Sequence, residues 1–568
     1  MIPRAFACLF LLVLGCIRCT ADDFRPQLQQ AIARGEKRFV IAPGVYRLDP
    51  PKSGGEFLYL HGLKDFEIVA DGVTMVGTKL MRAISLHRCS GVTLTGLTVD
   101  YDPLPFTQGE IIAGTEDGTS IDVRIHAGYP RKPYSRIDVV DRQTRFRKKG
   151  MPFLWGTKAE MIAEDVVRIH RQGIANFAKP GDLASLSTGQ EMGAPHAISI
   201  DGCEHITFRN VTVHSAPGMG ILEADGEGGS SFIGCKIVPG PPPSGATEAR
   251  LLSTSWDAFQ SKTIRRGPAV ENCEIEDAGD DSWSVQSADF VVLKSEGTTV
   301  VLASRDDCTD GVQAGDRLRT GIEGIEHRIV SRKVVSRADA QLAPEIGEKL
   351  QRAETWSFWK VCPRCIVVEL DRPSELRPGN SVYSPDRMGN GFVFRDNRIH
   401  SPGRVLLKAG GTMEGNKLDT PHALVVCPEL PGAGAAGIEN LFIRNNTIRN
   451  GGWFCPAPWS SQAGIISVTA TAGSSALRSE PAFKNIQIEG NIVEGGSGPD
   501  LVLSSASAAR VQNNRFIAAQ RDAPPGTGSA YGIKGSSVIW AKGCAGLLLG
   551  DNAIENVGSY AGELTKVE

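Results

Sequence analysis

A short pattern of alternating apolar residues, followed by Gly, Asn or Asp, recurs along most of this 568-residue chain. The segments CSGVTLTGLTV (89–99), CEHITFRNVTV (203–213) and CAGLLLGDNAI (544–554) carry apolar residues at offsets +3, +5 and +10. IENLFIRNNTI (438–448) and FKNIQIEGNIV (483–493) fit the same frame, and all five place Gly, Asn or Asp at +7. Each unit is too small to bury its own apolar face, so the copies must stack on one another.

Strand–bend–strand units without intervening helices predict an all-β, right-handed parallel β-helix with coils of roughly 20–25 residues. The residue at +7 is expected to make a bend in left-handed backbone. The chain begins with an amphipathic helix whose apolar face carries Phe24, Leu28, Ala31 and Ile32, and we predict that it caps the first coil.

The repeat fades in two segments whose alternating residues are typical of barrel-like β insertions. Both are interpreted as insertions into one solenoid, because the repeat resumes after each. The predicted division is 1–21, a signal peptide; 22–102, the cap and first coils; 103–195, an insertion; 196–287, coils with candidate catalytic residues; 288–390, an insertion; and 391–568, the C-terminal coils.

The first residues are typical of export. Arg4 precedes a short apolar stretch, and Cys19-Thr20-Ala21 provides a small-residue cleavage site, so we predict a secreted or periplasmic protein. A lipoprotein anchored through Cys16 is the alternative. No other segment is long and apolar enough to cross a membrane. The formal net charge of −3 and the lack of an aromatic-rich basic block argue against a nucleic-acid partner.

The metal-binding residue types are scattered. Cys362 and Cys365 form a single CxxC, which indicates a local disulfide or two reduced thiols more than zinc. The ten histidines form no HxH or HExxH cluster, and no glycine-rich phosphate loop is evident. The sequence therefore predicts no metal and no cofactor.

Three aspartates stand out because of their spacing. Asp257 and the pair Asp280-Asp281 are separated by 280 − 257 = 23 residues, about one coil, so they are expected on adjacent coils at a similar angular position. Neighbouring parallel strands lie about 4.8 Å apart. Carboxyl groups crowded without basic partners suit glycoside hydrolysis, in which one acid protonates the leaving oxygen and another activates water. Gly279 is expected to turn both members of the pair toward one cleft.

The segments SWDA (255–258) and NCEIEDAGDD (272–281), with similar stretches over most of the chain, resemble the α-1,3-galactosidases of glycoside hydrolase family 110. That resemblance implies a secreted bacterial β-helix enzyme that removes terminal α-linked galactose with inversion. It also implies that Asp257 is the general acid and that Asp280 and Asp281 hold the water. SVQS (284–287) departs from the family's NVHG, which leaves the exact sugar open.

Further substrate-binding candidates surround the aspartates in the sequence. Trp256 and Trp283 are expected to stack on a sugar, and the two insertions are expected to leave a pocket for exo-acting cleavage. Polygalacturonase-like hydrolysis, a lyase or epimerase, and a non-catalytic carbohydrate-binding solenoid are the alternative functions. The remaining candidates at the cleft are Arg404, Lys408, Glu429 and Trp453.

Overall fold

A computed structural model provides the coordinates of the chain. It describes residues 22–149, 151, 154–189, 194–304, 309–321, 324–342, 346, 363–422, 424–426, 437–453, 463–472, 476–524 and 528–568. The predicted signal peptide, Cys362 and Glu429 lie outside these residues. Among the helices of the described residues, none has the length and apolar character needed to span a membrane.

The chain folds as a right-handed parallel β-helix, as the repeat predicts. Three long parallel sheets run along it, and each regular coil contributes one short strand to each sheet. Sheet 1 consists of Arg38–Val40, Glu67–Val69, Thr93–Thr95, Thr207–Arg209, Ser231–Ile233, Ala269–Glu271, Phe392–Arg395, Gly411–Glu414, Ile438–Arg444, Phe483–Glu489, Arg510–Gln512 and Leu548–Gly550, with Ala506–Ser507 beside Phe483–Glu489.

The other two sheets complete the coils. Sheet 2 consists of Gly44–Leu48, Val73–Gly77, Thr98–Tyr101, Thr212–Val213, Lys236–Ile237, Glu274–Glu276, Arg398–His400, Lys417–Asp419, Thr447–Arg449, Ile492–Glu494, Arg515–Ile517 and Ala553–Glu555. Sheet 3 consists of Glu56–His61, Arg82–His87, Ile198–Asp201, Ile221–Ala224, Phe259–Lys262, Trp283–Gln286, Val405–Leu407, Leu424–Val426, Ile466–Val468, Leu501–Ser504, Ile539–Lys542 and Thr565–Val567.

The bend between sheets 1 and 2 has the expected backbone. The residues at offset +7 have positive φ, for example 77° at Gly96, 51° at Asn210 and 54° at Asn445. The asparagine that follows the bend in the C-terminal coils is buried and stacks on the next coil. Asn446 Oδ1, for instance, accepts from both the backbone N–H and the side-chain amide of Asn416, at 3.0 and 2.9 Å. These amide ladders satisfy polar groups that the interior would otherwise leave unpaired.

A helix closes the N-terminal end of the solenoid, as expected. It spans Arg25–Ala33 and buries Leu28 and Ala31 completely, with Phe24 and Ile32 packed on the same core. The cap therefore covers the apolar interior of the first coil. Within the described ranges, short 3-10 turns also occur at Ile174–Asn176, Pro385–Arg387 and Ser529–Tyr531.

Insertion 1 is a six-stranded antiparallel sheet with its own apolar core. It leaves the β-helix after the sheet 2 strand Thr98–Tyr101 and returns at the sheet 3 strand Ile198–Asp201. Its strands are Phe106–Gly114, Ser120–Ile125, Arg136–Val140, Lys158–Ala163, Val166–His170 and Leu183–Ser187.

Insertion 2 is a second six-stranded antiparallel sheet. It leaves after the sheet 3 strand Trp283–Gln286 and returns at the sheet 1 strand Phe392–Arg395. Insertion 1 enters sheet 3 at the start of a strand and insertion 2 leaves at the end of one, so the two emerge at opposite ends of the sheet 3 strands. Its strands are Phe290–Glu296, Thr299–Ser304, Arg317–Arg319, Glu326–Ser336, Arg364–Leu370 and Ser381–Val382.

Candidate active site

The sheet register brings Asp257 and Asp281 together. Phe259 pairs with Trp283, so Asp257 and Asp281 each lie two residues before the paired positions. The backbone N–H of Ala258 donates to the carbonyl of Asp281 at 2.9 Å. The in-register interval is thus 281 − 257 = 24 residues, and Asp281, rather than Asp280, occupies the position equivalent to Asp257. Both carboxylates are buried, whereas Asp280 is half-buried.

Gly279 brings the two aspartate-bearing turns into contact. Its N–H donates to the Thr254 carbonyl at 3.0 Å. A Cβ added at this position would lie 2.4 Å from the carbonyl oxygen of Ser255, so only glycine fits without moving the backbone. The Asp280 N–H in turn donates to the Trp256 carbonyl at 3.1 Å. The glycine therefore serves close packing of the two turns, just before the aspartate pair.

Asp281 has a buried basic partner. Arg404 Nε donates to Asp281 Oδ1 at 2.7 Å, with 7% and 9% of the two side chains exposed. The expectation of aspartates crowded without basic partners is therefore wrong at this position. A guanidinium in contact favours the ionised carboxylate, because it compensates part of the charge that burial removes from water. The structure thus places Arg404 against Asp281, and its role in substrate binding stays a prediction.

Asp257 accepts a hydrogen bond from a neutral group. Gln260 Nε2 donates to Asp257 Oδ2 at 3.2 Å, and both side chains are buried. Trp256, beside it, is half-buried; its indole N–H donates to the Thr188 carbonyl at 3.2 Å. The ring of Trp256 meets His196 edge-on at 6.0 Å. Trp256 therefore lies at the junction between the aspartate turn and the end of insertion 1.

Trp283 does not lie at the surface. Its side chain is 0% exposed inside the β-helix, stacked on Phe394 with ring centroids 4.3 Å apart and edge-on to Phe392 at 5.2 Å. The expectation that Trp283 stacks on a sugar is therefore wrong. Successive strand residues point to opposite faces, and in this strand Trp283 and Val285 point inward.

Lys408 lies away from the aspartate pair, whereas Trp453 lies beside the turn that carries His422, where its backbone N–H donates to the Pro421 carbonyl at 2.9 Å. Lys408 follows the strand Val405–Leu407 and is half-exposed, so it is at the opposite end of the strand from Arg404. At about 3.3 Å per residue, their Cα atoms are roughly 13 Å apart along the strand. Trp453 is half-buried, and Lys149 of insertion 1 lies 4.2 Å from its ring centroid.

His422 is a buried residue beside the site that sequence reasoning missed. It precedes the strand Leu424–Val426 by two residues, the same offset that Asp257 and Asp281 have from their strands. Burial, followed by the positive charges of Arg404 and Arg147, holds the pKa of His422 well below its usual value, so the imidazole is neutral. The shared offset is the signal that would have found it.

Insertion 1 also reaches the aspartate turns. Arg136, in the strand Arg136–Val140, donates from Nη1 to the Ser255 carbonyl at 2.6 Å. Arg147, beyond the same strand, donates from Nη2 to the Gly279 carbonyl at 3.4 Å. Asp138 lies between the two guanidinium groups, at 3.1 Å from Arg136 and 2.6 Å from Arg147. Two fixed cations thus contact the backbone just before Asp257 and Asp280.

Across the ranges that the structure describes, no group of three His, Cys, Asp or Glu residues is arranged to hold a metal ion. The arrangement instead combines three carboxylates, an ion-paired arginine and a neutral histidine. Such a set can donate a proton, accept a proton and orient a water molecule.

No family model and no curated protein matches this chain. Among solved structures, an exopolygalacturonase from Thermotoga maritima is 12% identical, with a TM-score of 0.38, over 94% of this chain and 86% of that one. A polygalacturonase from Erwinia carotovora ssp. carotovora is 11% identical, with a TM-score of 0.31, over 97% and 95%.

Proteins of other kinds also occur among the matches. PfbA, a surface adhesin of Streptococcus pneumoniae, is 9% identical, with a TM-score of 0.32, over 98% of this chain and 91% of that one. At such low identities and TM-scores these likenesses do not distinguish one function from another.

Proposed function

We propose that the protein is a secreted glycoside hydrolase that removes terminal α-linked galactose, or a closely related sugar, from glycans with inversion. The observation that carries this proposal is the in-register placement of Asp257 and Asp281 on adjacent coils, with Asp280 beside them. Acid and base carboxyl groups on one surface are the minimum that glycosidic cleavage requires.

The two environments suggest different roles for the carboxyl groups. Asp281 is paired with the Arg404 guanidinium, which favours the ionised carboxylate and suits a group that accepts a proton from water. Half-buried Asp280, one residue before it, is proposed to hold the same water as a second acceptor. Asp257 accepts from the neutral Gln260 amide and is proposed as the general acid. Neutral His422 supplies a hydrogen-bonding group that leaves the charge balance of the site unchanged.

The sugar is proposed from the sequence resemblance, which identifies α-galactosides as the first substrates to test. A screen of aryl α- and β-glycosides, together with linear and branched galactosides, tests the proposal directly by measuring released monosaccharide. Turnover of α-galactosides supports it. A requirement for calcium with an unsaturated product absorbing in the ultraviolet would instead indicate a lyase. Binding of sugars without any turnover would indicate a carbohydrate-binding solenoid.

We expect galactose itself to be the first product from an oligosaccharide substrate. Insertions 1 and 2 emerge at opposite ends of the sheet 3 strands, and we propose that they wall off a groove that a bare β-helix would leave open at both ends. Chromatography of the first minutes of reaction on a linear α-galacto-oligosaccharide measures this. Early release of dimers or longer fragments would show internal cleavage and contradict the exo-acting assignment.

We expect the released sugar to appear first as the β-anomer. Strand spacing of about 4.8 Å alone would suit retention, whereas inversion needs the carboxyl groups roughly 6.5–9.5 Å apart to admit water. Asp281, however, is engaged by Arg404, and the adjacent Asp280 provides a second acceptor for one water. Proton NMR during the first minutes of hydrolysis of an α-galactoside identifies the anomer. An initial α-anomer, or transfer to an added alcohol, would establish retention.

A further inference from the structure

The basic segment RFRKK (145–149) belongs to insertion 1. Most of its side chains contact other parts of the chain and have no role in the proposed hydrolysis. Arg145 lies 3.5 Å from Glu248, and Lys149 lies 3.3 Å from Asp522. Lys148 pairs at 2.5 Å with Asp182 of the insertion itself. The Phe146 ring lies 4.7 Å from His400 on the β-helix. The segment therefore connects insertion 1 to several separate coils through ion pairs and a ring contact.

Arg147 differs from its neighbours in this segment because it is buried. It belongs to a triad with Asp138 and Arg136, in which all three side chains are at least nine-tenths buried. Arg136 also stacks on Trp155, with the guanidinium carbon 4.3 Å from the ring centroid. Burying two guanidinium groups around one carboxylate leaves a net positive charge in a poorly solvated place, which is costly for folding. A second carboxylate nearby would offset that cost.

Asp280 supplies this second negative charge. Burial lowers the pKa of Arg147, and the positive charge of Arg136 lowers it further. The negative charges of Asp138 and Asp280 act in the opposite direction and raise this pKa. Electrostatic interaction is reciprocal, so the same guanidinium favours the ionised form of Asp280. Arg147 also donates to the Gly279 carbonyl, one residue before Asp280. One side chain thus acts on both the charge and the backbone of the turn that carries the aspartate pair.

We propose that Arg147 is a positioning residue of insertion 1 that fixes the Gly279–Asp280 turn, which carries the water-holding aspartate pair. The inference rests on the proposed function and extends it, because it makes insertion 1 part of the active site as well as a wall of the groove. Arg136 performs the matching task for the Asp257 turn through the Ser255 carbonyl. The β-helix coils alone would then carry the aspartates in a less defined geometry.

The test compares the wild-type protein with Arg147→Gln, Arg147→Lys and Lys148→Gln on the α-galactoside that the wild type hydrolyses best. We expect Arg147→Gln to lower kcat roughly tenfold or more with little change in KM, because misplaced catalytic groups affect the chemical step. The acidic limb of its pH–kcat/KM profile should move up by about one pH unit, since a nearby cation has been lost. Arg147→Lys should restore the limb toward its wild-type position.

Lys148→Gln is the matched control, because it removes one positive charge from the same segment while its partner Asp182 lies within the insertion. It should leave both kcat and the pH profile unchanged. Thermal unfolding of each variant shows whether Arg147→Gln folds, and added guanidinium should partly restore its rate if only the cation is missing. A folded Arg147→Gln protein with wild-type kcat and a wild-type acidic limb of the pH–kcat/KM profile would overturn this inference and leave the proposed function standing. Lack of wild-type turnover on every glycoside would overturn the proposed function with it.

Discussion

Asp257→Asn, Asp280→Asn and Asp281→Asn should each lower turnover at least a hundredfold, the scale of losing acid or base assistance. Asparagine keeps the shape of the side chain but can neither give up nor accept the proton. The measurement is kcat on an α-galactoside for folded protein. Near-normal rates in all three variants would show that these are ordinary turn aspartates.

The roles of the aspartates should separate when the leaving group is changed. An acid variant needs less help with a good leaving group, so Asp257→Asn should recover much of its rate on a nitrophenyl α-galactoside relative to a disaccharide. Asp281→Asn should remain slow on both, because the attacking water still lacks its base. The opposite pattern would exchange the two assignments.

Asp277→Asn provides the matched control for these substitutions. Asp277 lies in the same turn, and its φ of 48° is one that asparagine readily adopts. Burial raises the pKa of Asp277 to about 7, so its neutral form is already populated near neutrality and an amide replaces it at little cost. Activity should be unchanged. Asp281→Asn, in contrast, leaves the buried Arg404 without its carboxylate, so its thermal unfolding must be measured beside its rate.

The repeat in the sequence was sufficient to predict the β-helix, because its frame marks both the buried strand positions and the bend. Gly96, Asn210 and Asn445 have the left-handed backbone expected of that frame. The capping helix could be predicted equally well, because its apolar residues form one continuous face. The repeat and the helix both depend on local periodicity, which can be read from a single sequence.

The arrangement of the site was harder to predict from the sequence, because it depends on the strand register to within a single residue. An interval of 23 and one of 24 are both about one coil, yet only the second places two aspartates at equivalent positions. Arg404 pairs with Asp281 from the following coil, beyond the whole of insertion 2, and Arg147 arrives from insertion 1. Neither contact has a local sequence signal. The inward orientation of Trp283 did have one, because its strand WSVQ alternates from the tryptophan onward.

The two tryptophans that flank the aspartates should respond oppositely to truncation. Trp283→Ala should lower the free energy of unfolding by roughly 3–5 kcal/mol, because it removes a fully buried ring and leaves a cavity. Its stacked contact with Phe394 adds to that loss. Thermal and denaturant unfolding measure the effect, and Trp283→Phe should recover part of it by keeping an aromatic ring between Phe392 and Phe394.

Trp256→Ala should instead change stability by roughly 1 kcal/mol, since the ring is half-buried and loses a single hydrogen bond to the Thr188 carbonyl. Its effect should be a higher KM for the glycan, because the ring lies beside Asp257 where a sugar would bind. The two alanine variants should differ because Trp283 points into the β-helix core, whereas Trp256 is only half-buried. Equal losses of stability in the two alanine variants would mean that Trp256 also serves the core, and the half-buried ring would no longer be a candidate for sugar contact.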